Sequence, residues 1–312
     1  MSDTSADTPD TGDTDDDSPP CVMAFNANDP SGSGGLSADV TAIASVGAHA
    51  LPVVTGTWVR DTAEAMNHFA MDEEAVEEQA RVVLEDVPVR VFKVGFVGTP
   101  ENLATIAEIA SDYGDTPLVA WMPNLSWWDE DRIDAYHDAF RELMLPQTTV
   151  LVGNHSTLWR WLLPDWSDDR PPSARDIAAA AAEAGVAYTL VTGIVHGETV
   201  IENALATPQQ VLHTQRFERF EAVFTGAGDT VSATLAALIA TGSDLAGATA
   251  EALGYLDRCL DAGFQPGMGL VIPDRLFWAH GDTDSDDEAS EGADDDNPAL
   301  SAFDLPAHDT KH

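Results

Sequence analysis

The sequence predicts an α/β fold with a mainly parallel central sheet, and two observations lead to this prediction. Short apolar segments of strand length alternate with longer segments of helix length through the middle of the chain. Such alternation is typical of a parallel sheet covered by helices on both faces. Two glycine-rich loops also stand directly before helices, and sheets of this kind bind ligands at the carboxyl ends of their strands.

The predicted elements follow one another in a regular order between the first glycine loop and the end of the apolar sequence. Apolar periodicity indicates the helices, and turn-forming residues bound the strands. The predicted strands are 21–25, 50–55, 90–94, 118–121, 149–152 and 188–191, with hairpins over 200–221 and a final segment at 270–278. The predicted helices are 36–46, 73–84, 101–113, 131–143, 174–184 and 245–260, together with the helix that follows the second glycine loop.

The composition of the two ends predicts one domain between disordered tails. Residues 1–20 and 281–312 are dominated by small, polar and acidic residues, which cannot bury enough apolar surface to form a core. We interpret both segments as solubilising tails. Residues 21–280 are long enough and apolar enough for one large core.

The chain is strongly acidic. Asp and Glu number 54 against 14 Lys and Arg, which gives a formal net charge of -40. This charge argues against nucleic acid as a partner, because phosphates would be repelled. It can reflect a solubilising surface, or an adaptation to high salt, where the Debye length falls to roughly 3 Å at 1 M. The sequence leaves both interpretations open.

The distribution of apolar residues and cysteines predicts a cytoplasmic protein. The chain has no apolar run long enough to span a membrane and no secretory signal pattern at its start. Cys21 and Cys259 make no disulfide framework, and no Cys/His spacing is typical of a zinc site.

The second glycine loop, Gly226-Ala-Gly-Asp229, opens an apolar helix. Glycines let the backbone approach a ligand closely, and free amides at a helix start favour an anion. A carboxylate beside such amides suits phosphoryl transfer to an alcohol, since the amides stabilise the transferring group and the carboxylate takes the hydroxyl proton. A simple helix cap after a glycine turn is the alternative interpretation.

The first glycine loop, residues 26–35, follows the first predicted strand directly. Its density of turn residues places backbone at the ligand edge of the sheet. It lacks the Gly-Lys-Ser/Thr of a P-loop and the glycine spacing of the dinucleotide fingerprint. Three glycines in ten residues are more than a plain connection needs.

Several motifs, in order, resemble those of the hydroxymethylpyrimidine kinases of the ribokinase-like superfamily, which act in thiamine synthesis. The resemblance covers roughly residues 21–278. Its motifs are Asp29-Pro-Ser-Gly-Ser-Gly-Gly-Leu-Ser-Ala-Asp39, Gly47-Ala-His-Ala-Leu-Pro-Val-Val-Thr55, Phe92-Lys-Val-Gly95, Leu145-Pro-Gln-Thr-Thr-Val-Leu151, Gly226-Ala-Gly-Asp229 and Gly267-Met-Gly-Leu-Val-Ile-Pro-Asp-Arg-Leu-Phe-Trp278.

The resemblance implies a ribokinase-like three-layer α/β/α sandwich, ATP as phosphoryl donor, Mg²⁺ and a homodimer. It implies that Asp229 is the general base, where many pyrimidine kinases carry a cysteine. Gly226, Ala227 and Gly228 would form the anion hole. Asp39 and the backbone of Ala27 would contact the pyrimidine.

The chain departs from the family pattern around both ligands. On the substrate side, Arg60 stands where the family has a ring-reading glutamine, and Phe96 where it has a methionine. Near the nucleotide, the family's Asn-x-x-Glu reads Asn154-His-Ser-Thr157, its Asp-Pro falls at Trp121-Met-Pro123, and its Lys-Gly reads Thr192-Gly193. Mg²⁺ could still bind through ATP oxygens and water.

Two residues have two interpretations each, and a third has one. Arg60 is either a surface arginine paired with Asp61 or a clamp for a substrate phosphate, for which its forked guanidinium is suited. Trp58 either stacks on a flat heterocycle or packs in the core or a lid. Lys93 ends an apolar strand, so we expect it to be buried and paired.

Three functions follow from these alternatives. The first is ATP-dependent phosphorylation of hydroxymethylpyrimidine or its monophosphate, which rests on Asp229 and the anion hole. The second is phosphorylation of another alcohol, such as a pyridoxal-like vitamer, which rests on Arg60 and Phe96. The third is ligand binding without catalysis, which rests on the missing acidic residues.

Overall fold

The computed structural model of the chain describes residues 18–280. Contacts divide the chain into two units, Met1–Phe277 and Trp278–His312. The elements below belong to the first unit, and only residues 278–280 of the second are described. The tails predicted at 1–20 and 281–312 lie outside the described residues, except for residues 18–20.

Strands and helices alternate as the sequence predicts. The strands are β1 (Cys21–Asn28), β2 (His49–Arg60), β3 (Ala65–Ala70), β4 (Val89–Val94), β5 (Leu118–Met122), β6 (Val150–Asn154), β7 (Tyr188–His196), β8 (Val200–Ala206) and β9 (Val211–Glu218). The helices are α1 (Gly35–Ser45), α2 (Glu73–Leu84), α3 (Pro100–Asp112), α4 (Glu130–Ala139), α5 (His155–Leu162), α6 (Ala174–Glu183), α7 (Ala227–Ala240) and α8 (Leu245–Asp261).

One sheet contains these strands, in the order β3-β2-β1-β4-β5-β6-β7-β8-β9. The six strands from β2 to β7 in this order are parallel, and antiparallel strands β3, β8 and β9 extend the two sides. Each face of the sheet has its own apolar core. Met23 and Phe25 of β1 join one core, whereas Val22 and Ala24 join the other, because successive side chains of a strand point to opposite faces.

The helices divide between the two cores. Helices α2 to α6 contribute to the core that contains Met23, and α1, α7 and α8 contribute to the core that contains Val22. The resulting three layers confirm the predicted α/β/α sandwich. Strand β1 pairs in parallel with β2 on one side and β4 on the other. The strand order changes direction between β1 and β4. Open α/β sheets bind ligands in the crevice at the carboxyl ends of the strands at this point.

The structure adds two elements that the sequence analysis missed, and extends a third. Strand β3 is largely exposed, so it lacks the buried alternation that identifies a strand. Helix α5 has eight residues, and only Leu158 and Trp161 of it are buried. Strand β2 runs five residues beyond its predicted end, to Arg60, and forms an antiparallel hairpin with β3. No helix in residues 18–280 is long and apolar enough to cross a membrane.

Candidate functional site

The turn Gly226–Asp229 presents free backbone donors at the start of α7. Gly226 has φ of 84°, a left-handed conformation that suits glycine, and its Cα packs against the carbonyl of Ser33. Within residues 18–280, no protein group accepts a hydrogen bond from the N–H groups of Gly226, Ala227 or Gly228. All three residues are partly exposed. The turn therefore offers an anion both free donors and the positive end of a helix dipole.

Asp229 ends this turn, and its two carboxylate oxygens have different surroundings. Oδ1 accepts a hydrogen bond of 2.8 Å from Asn26 Nδ2 and lies 3.4 Å from Lys93 Nζ. Oδ2 receives no hydrogen bond in the described part of the chain and faces Gly34, where an added Cβ would lie 2.8 Å away. The side chain is 6% exposed. Oδ2 is thus the oxygen that can accept a proton from a ligand.

Asp39, Lys93 and Asn26 form a buried polar cluster behind Asp229. Lys93 Nζ lies 2.7 Å from Asp39 Oδ1, and both side chains are completely buried, which confirms that Lys93 is buried and paired. Asn26 Nδ2 donates to Asp39 Oδ2 at 2.9 Å, and its Oδ1 accepts from the N–H groups of Ala27 and Phe96. Burial raises the pKa of Asp39 to about 6, against the lowering effect of Lys93.

This cluster gives Asp39 a role within the fold. Both of its oxygens are occupied, one by Lys93 and one by Asn26, and the residue has no exposed surface. Contact of Asp39 with a substrate, as expected from the sequence, stays a prediction. Asp39 lies where it can neutralise Lys93 and leave Asp229 with a weaker, longer contact to the ammonium.

Arg275 fastens the first glycine loop to the second. Its Nη2 donates to the carbonyl of Ser33 at 2.5 Å and to that of Gly226 at 3.4 Å, and its Nε donates to Thr230 Oγ1 at 2.9 Å. The residue is 6% exposed. The sequence analysis missed this role, and the signal available was an arginine inside the motif of residues 267–278 in a chain poor in basic residues.

Arg60, at the end of β2, reaches the same region from the hairpin. Its Nη2 donates to Thr225 Oγ1 at 3.0 Å, and its Nη1 lies 3.6 Å from Asp29 Oδ2. Its Nε donates to the backbone carbonyl of Asp61 at 3.1 Å, so the contact with Asp61 is not the predicted carboxylate pair. The side chain is 14% exposed. Arg60 is therefore a mostly buried cation next to the residue that precedes the anion turn.

An aromatic cluster lies at the carboxyl ends of β2, β4 and β5. The rings of Trp58 and Phe96 stack with centroids 4.5 Å apart, and Trp127 meets Trp58 edge-on at 4.8 Å. His68 of β3 also contacts both stacked rings. The N–H of Ala27 donates to the carbonyl of Phe96 at 3.0 Å. These rings contact one another, and the Ala27 N–H is bonded within the fold. Contact of Trp58, Phe96 or Ala27 with a substrate stays a prediction.

Asn154 is the last residue of β6, and it lies opposite Thr192 in the middle of β7. Asn154 accepts from the N–H of Ser156 and caps α5, and Thr192 donates to the carbonyl of Gly153. Neither side chain contacts the anion turn in the structure, so their nucleotide contacts stay predictions.

The surroundings of the anion turn do not fit a metal ion held by protein carboxylates. The ring of Trp121 packs against the Cα of Gly228 and offers no carboxylate there. Within residues 18–280, no three or more His, Cys, Asp or Glu side chains come together as metal ligands.

Comparison with known proteins gives one family. The model of the phosphomethylpyrimidine kinase family matches residues 29–274. The hydroxymethylpyrimidine/phosphomethylpyrimidine kinase of Streptomyces coelicolor is 27% identical over 85% of this chain and 97% of that protein. The enzyme of the same description from Mycobacterium tuberculosis is 25% identical over 83% of this chain and 94% of its own.

Solved structures show the same fold at low identity. An ADP complex of Bacillus subtilis pyridoxal kinase superposes with a TM-score of 0.75 at 18% identity, over 84% of this chain and 99% of that one. Phosphomethylpyrimidine kinase from Clostridium difficile superposes with a TM-score of 0.62 at 18% identity, over 76% and 97%. These similarities show the ribokinase-like fold. The substrate is inferred from the family match and not from these structures.

Proposed function

Because the chain belongs to the phosphomethylpyrimidine kinase family, we propose that it phosphorylates hydroxymethylpyrimidine and its monophosphate in thiamine biosynthesis, with ATP as the donor. The family match covers most of the domain, and the alignments with the two bacterial relatives cover nearly the whole length of each relative. The chain is a phosphotransferase on these grounds. Pyridoxal kinases share its fold at identities that carry no substrate assignment.

One observation carries the chemical part of the proposal: a carboxylate oxygen without a donor lies beside free backbone donors. In the proposed reaction, Asp229 Oδ2 takes the proton of the acceptor hydroxyl while that oxygen bonds to the γ-phosphorus of ATP. The bond from phosphorus to the β-bridging oxygen breaks, and ADP leaves. The N–H groups of Gly226, Ala227 and Gly228 stabilise charge on the transferring group.

Asn26 and Lys93 position this base. Both contact Oδ1, so the carboxylate cannot turn freely and Oδ2 stays directed at the space beside Gly34. Asp39 balances the charge of Lys93 at 2.7 Å. Asp229 itself lies farther from the ammonium, at 3.4 Å.

We propose that Mg²⁺ enters with the nucleotide rather than through a protein-held site. Trp121 and Thr157 offer no carboxylate, and the described residues contain no cluster of metal ligands. Mg²⁺ commonly binds through substrate phosphates and retains several waters. Asn154 at the end of β6 and Thr192 on the adjacent strand β7 are then proposed as neutral contacts to the nucleotide phosphates.

The proposed acceptor is tested by following ADP release with ATP and Mg²⁺. Hydroxymethylpyrimidine, its monophosphate and pyridoxal are supplied separately, each at low and at molar salt because of the net charge of -40. Release that depends on either pyrimidine is the expected result. ADP release with pyridoxal alone would identify pyridoxal as the acceptor. Ligand binding without ADP release under every condition would show that the protein is a non-catalytic homologue.

We also propose a cytoplasmic homodimer, as the family resemblance implies. Exposed apolar side chains on β3, Met66 and Phe69, support association because an exposed apolar patch on a strand favours a partner. Sedimentation at low and at molar salt tests this, and a monomer at every concentration would refute it.

A further inference from the structure

The transferring phosphoryl group carries negative charge that a kinase must neutralise. Where the family resemblance implies a lysine near the nucleotide, this chain has Thr192. The protein itself has a net charge of -40, which repels a nucleotide further. Apart from the Mg²⁺ that enters with the nucleotide, positive charge at the anion turn must therefore come from another part of the fold.

Three cations surround the turn in the described part of the chain, and two of them are fully engaged. Lys93 is buried between Asp39 and Asp229. Arg275 directs its guanidinium at the carbonyls of Gly32, Ser33 and Gly226 and at Thr230. Both cations hold the site together. Lys93 has no exposed surface, and Arg275 is 6% exposed.

Arg60 is the third cation, and it retains unused donors. A guanidinium has five N–H donors, of which one contacts the Asp61 carbonyl and one contacts Thr225. The distance of 3.6 Å to Asp29 is an ion-pair contact rather than a hydrogen bond. The remaining N–H groups lie on Nη1 and Nη2, and the side chain as a whole is 14% exposed.

The hairpin that carries Arg60 is held in place. The carboxylate of Asp61 accepts from the N–H groups of Ala63 and Glu64, and the carbonyl of Thr62 accepts from Leu270 N at 2.8 Å. Arg60 is thus held at two points. Its side chain contacts Thr225, which precedes the anion turn, and the loop that follows β2 is held by hydrogen bonds. A pre-positioned donor costs no reorganisation when charge develops.

We propose that Arg60 is a catalytic residue that binds the transferring phosphoryl group through its free N–H donors and supplies the positive charge missing at Thr192. The inference rests on the proposed kinase function. It replaces the earlier interpretation of Arg60 as a clamp for the acceptor's own phosphate, because the guanidinium lies against Thr225, directly before the anion turn, and not in the aromatic cluster.

The test compares Arg60→Ala and Arg60→Lys with a matched arginine. Arg216→Ala is the control, since Arg216 also lies on a strand and donates to a carboxylate, Glu202, at 2.8 Å. We expect Arg60→Ala to lower kcat by about 10²–10³-fold with hydroxymethylpyrimidine and with its monophosphate alike. Arg60→Lys should recover little, since an ammonium lacks the fork, and Arg216→Ala should stay within about twofold of the parent.

A second measurement does not depend on turnover. ADP with aluminium fluoride, a mimic of the transferring group, should bind the parent protein at least about tenfold more tightly than Arg60→Ala, by calorimetry. A kcat for Arg60→Ala within about threefold of the parent would overturn the inference, as would a loss confined to the monophosphate. A parent protein that turns over no acceptor would refute the proposed function, while the calorimetric comparison would still decide the role of Arg60.

Discussion

Gly34→Ala is the change that tests the position of the Asp229 base most specifically. Gly34 precedes α1 with φ of -142° and ψ of -155°, an extended conformation that alanine adopts without backbone strain. The added Cβ would lie 2.8 Å from Asp229 Oδ2, 3.6 Å from Asp29 Oδ2 and 3.7 Å from the Cα of Gly226. Only the first of these contacts is too short, so the substitution acts on the proposed base.

The size of the effect follows from that distance. Carbon and oxygen atoms in ordinary contact lie roughly 3.3–3.6 Å apart, so the carboxylate or the loop must move by about half an ångström. Small misplacements of reacting groups can lower a rate by about 10²-fold, and we expect a loss of about that size in kcat. The structural cost of overpacking is about 1–3 kcal/mol, which a large core tolerates.

The assay is acceptor-dependent ADP release, with thermal unfolding measured in parallel. Gly254→Ala is the matched control, because Gly254 lies within α8 and an added Cβ there meets open space. The control should keep the parent kcat and gain up to about 1 kcal/mol of stability from helix propensity. If Gly34→Ala keeps kcat within about threefold of the parent, Oδ2 is not the oxygen that accepts the proton.

Three further predictions concern the buried polar groups. Lys93→Met should lower the free energy of unfolding by about 3–5 kcal/mol, because it leaves two buried carboxylates without their cation; denaturant unfolding at constant salt measures this, and a loss below about 1 kcal/mol would contradict it. Burial raises the pKa of Asp39 above its unfolded value, to about 6, so its contribution to stability is present at low pH and is lost as pH rises through about 6. Asp39→Asn should remove that decline, and an unchanged pH profile of unfolding would refute the assignment. Burial lowers the pKa of His68 to about 4, so its contribution is present above its unfolded pKa and is lost as pH falls towards 4; His68→Asn should flatten the acid limb of the stability curve, and the same acid limb in both proteins would count against it.

The layered fold and the anion turn were predictable because their causes are local. Apolar runs and helical periodicity do not depend on distant residues, and a Gly-Ala-Gly-Asp sequence before an apolar helix produces free amides wherever it occurs. The position of Asp229 at the end of that turn was predictable for the same reason. Strand β3 was missed because its side chains are largely exposed, so burial left no pattern in its sequence.

The contacts around Asp229 could not be predicted, since they join residues far apart in the chain. Asn26 and Asp229 are separated by 203 positions, and Arg275 and Ser33 by 242. Asn26 within an apolar strand is a signal that can be seen in the sequence, but the sequence does not show which residue it contacts. Asp39 was expected to contact substrate, and only the geometry shows that Lys93 and Asn26 occupy both its oxygens.

The central claim is that Asp229 is the base of a phosphoryl transfer, and kcat of Asp229→Asn tests it most directly. Asparagine has the same shape and can still accept the hydrogen bond from Asn26, so the fold should be retained. Asp244→Asn is the control, since Asp244 caps α8 through the N–H groups of Ala246 and Gly247 and represents a helix cap without chemistry. The account predicts that kcat of Asp229→Asn falls by about 10²–10⁴-fold, while the control keeps the parent value. A fall of less than about tenfold, equal to that of the control, would leave Asp229 as a helix cap and contradict the account.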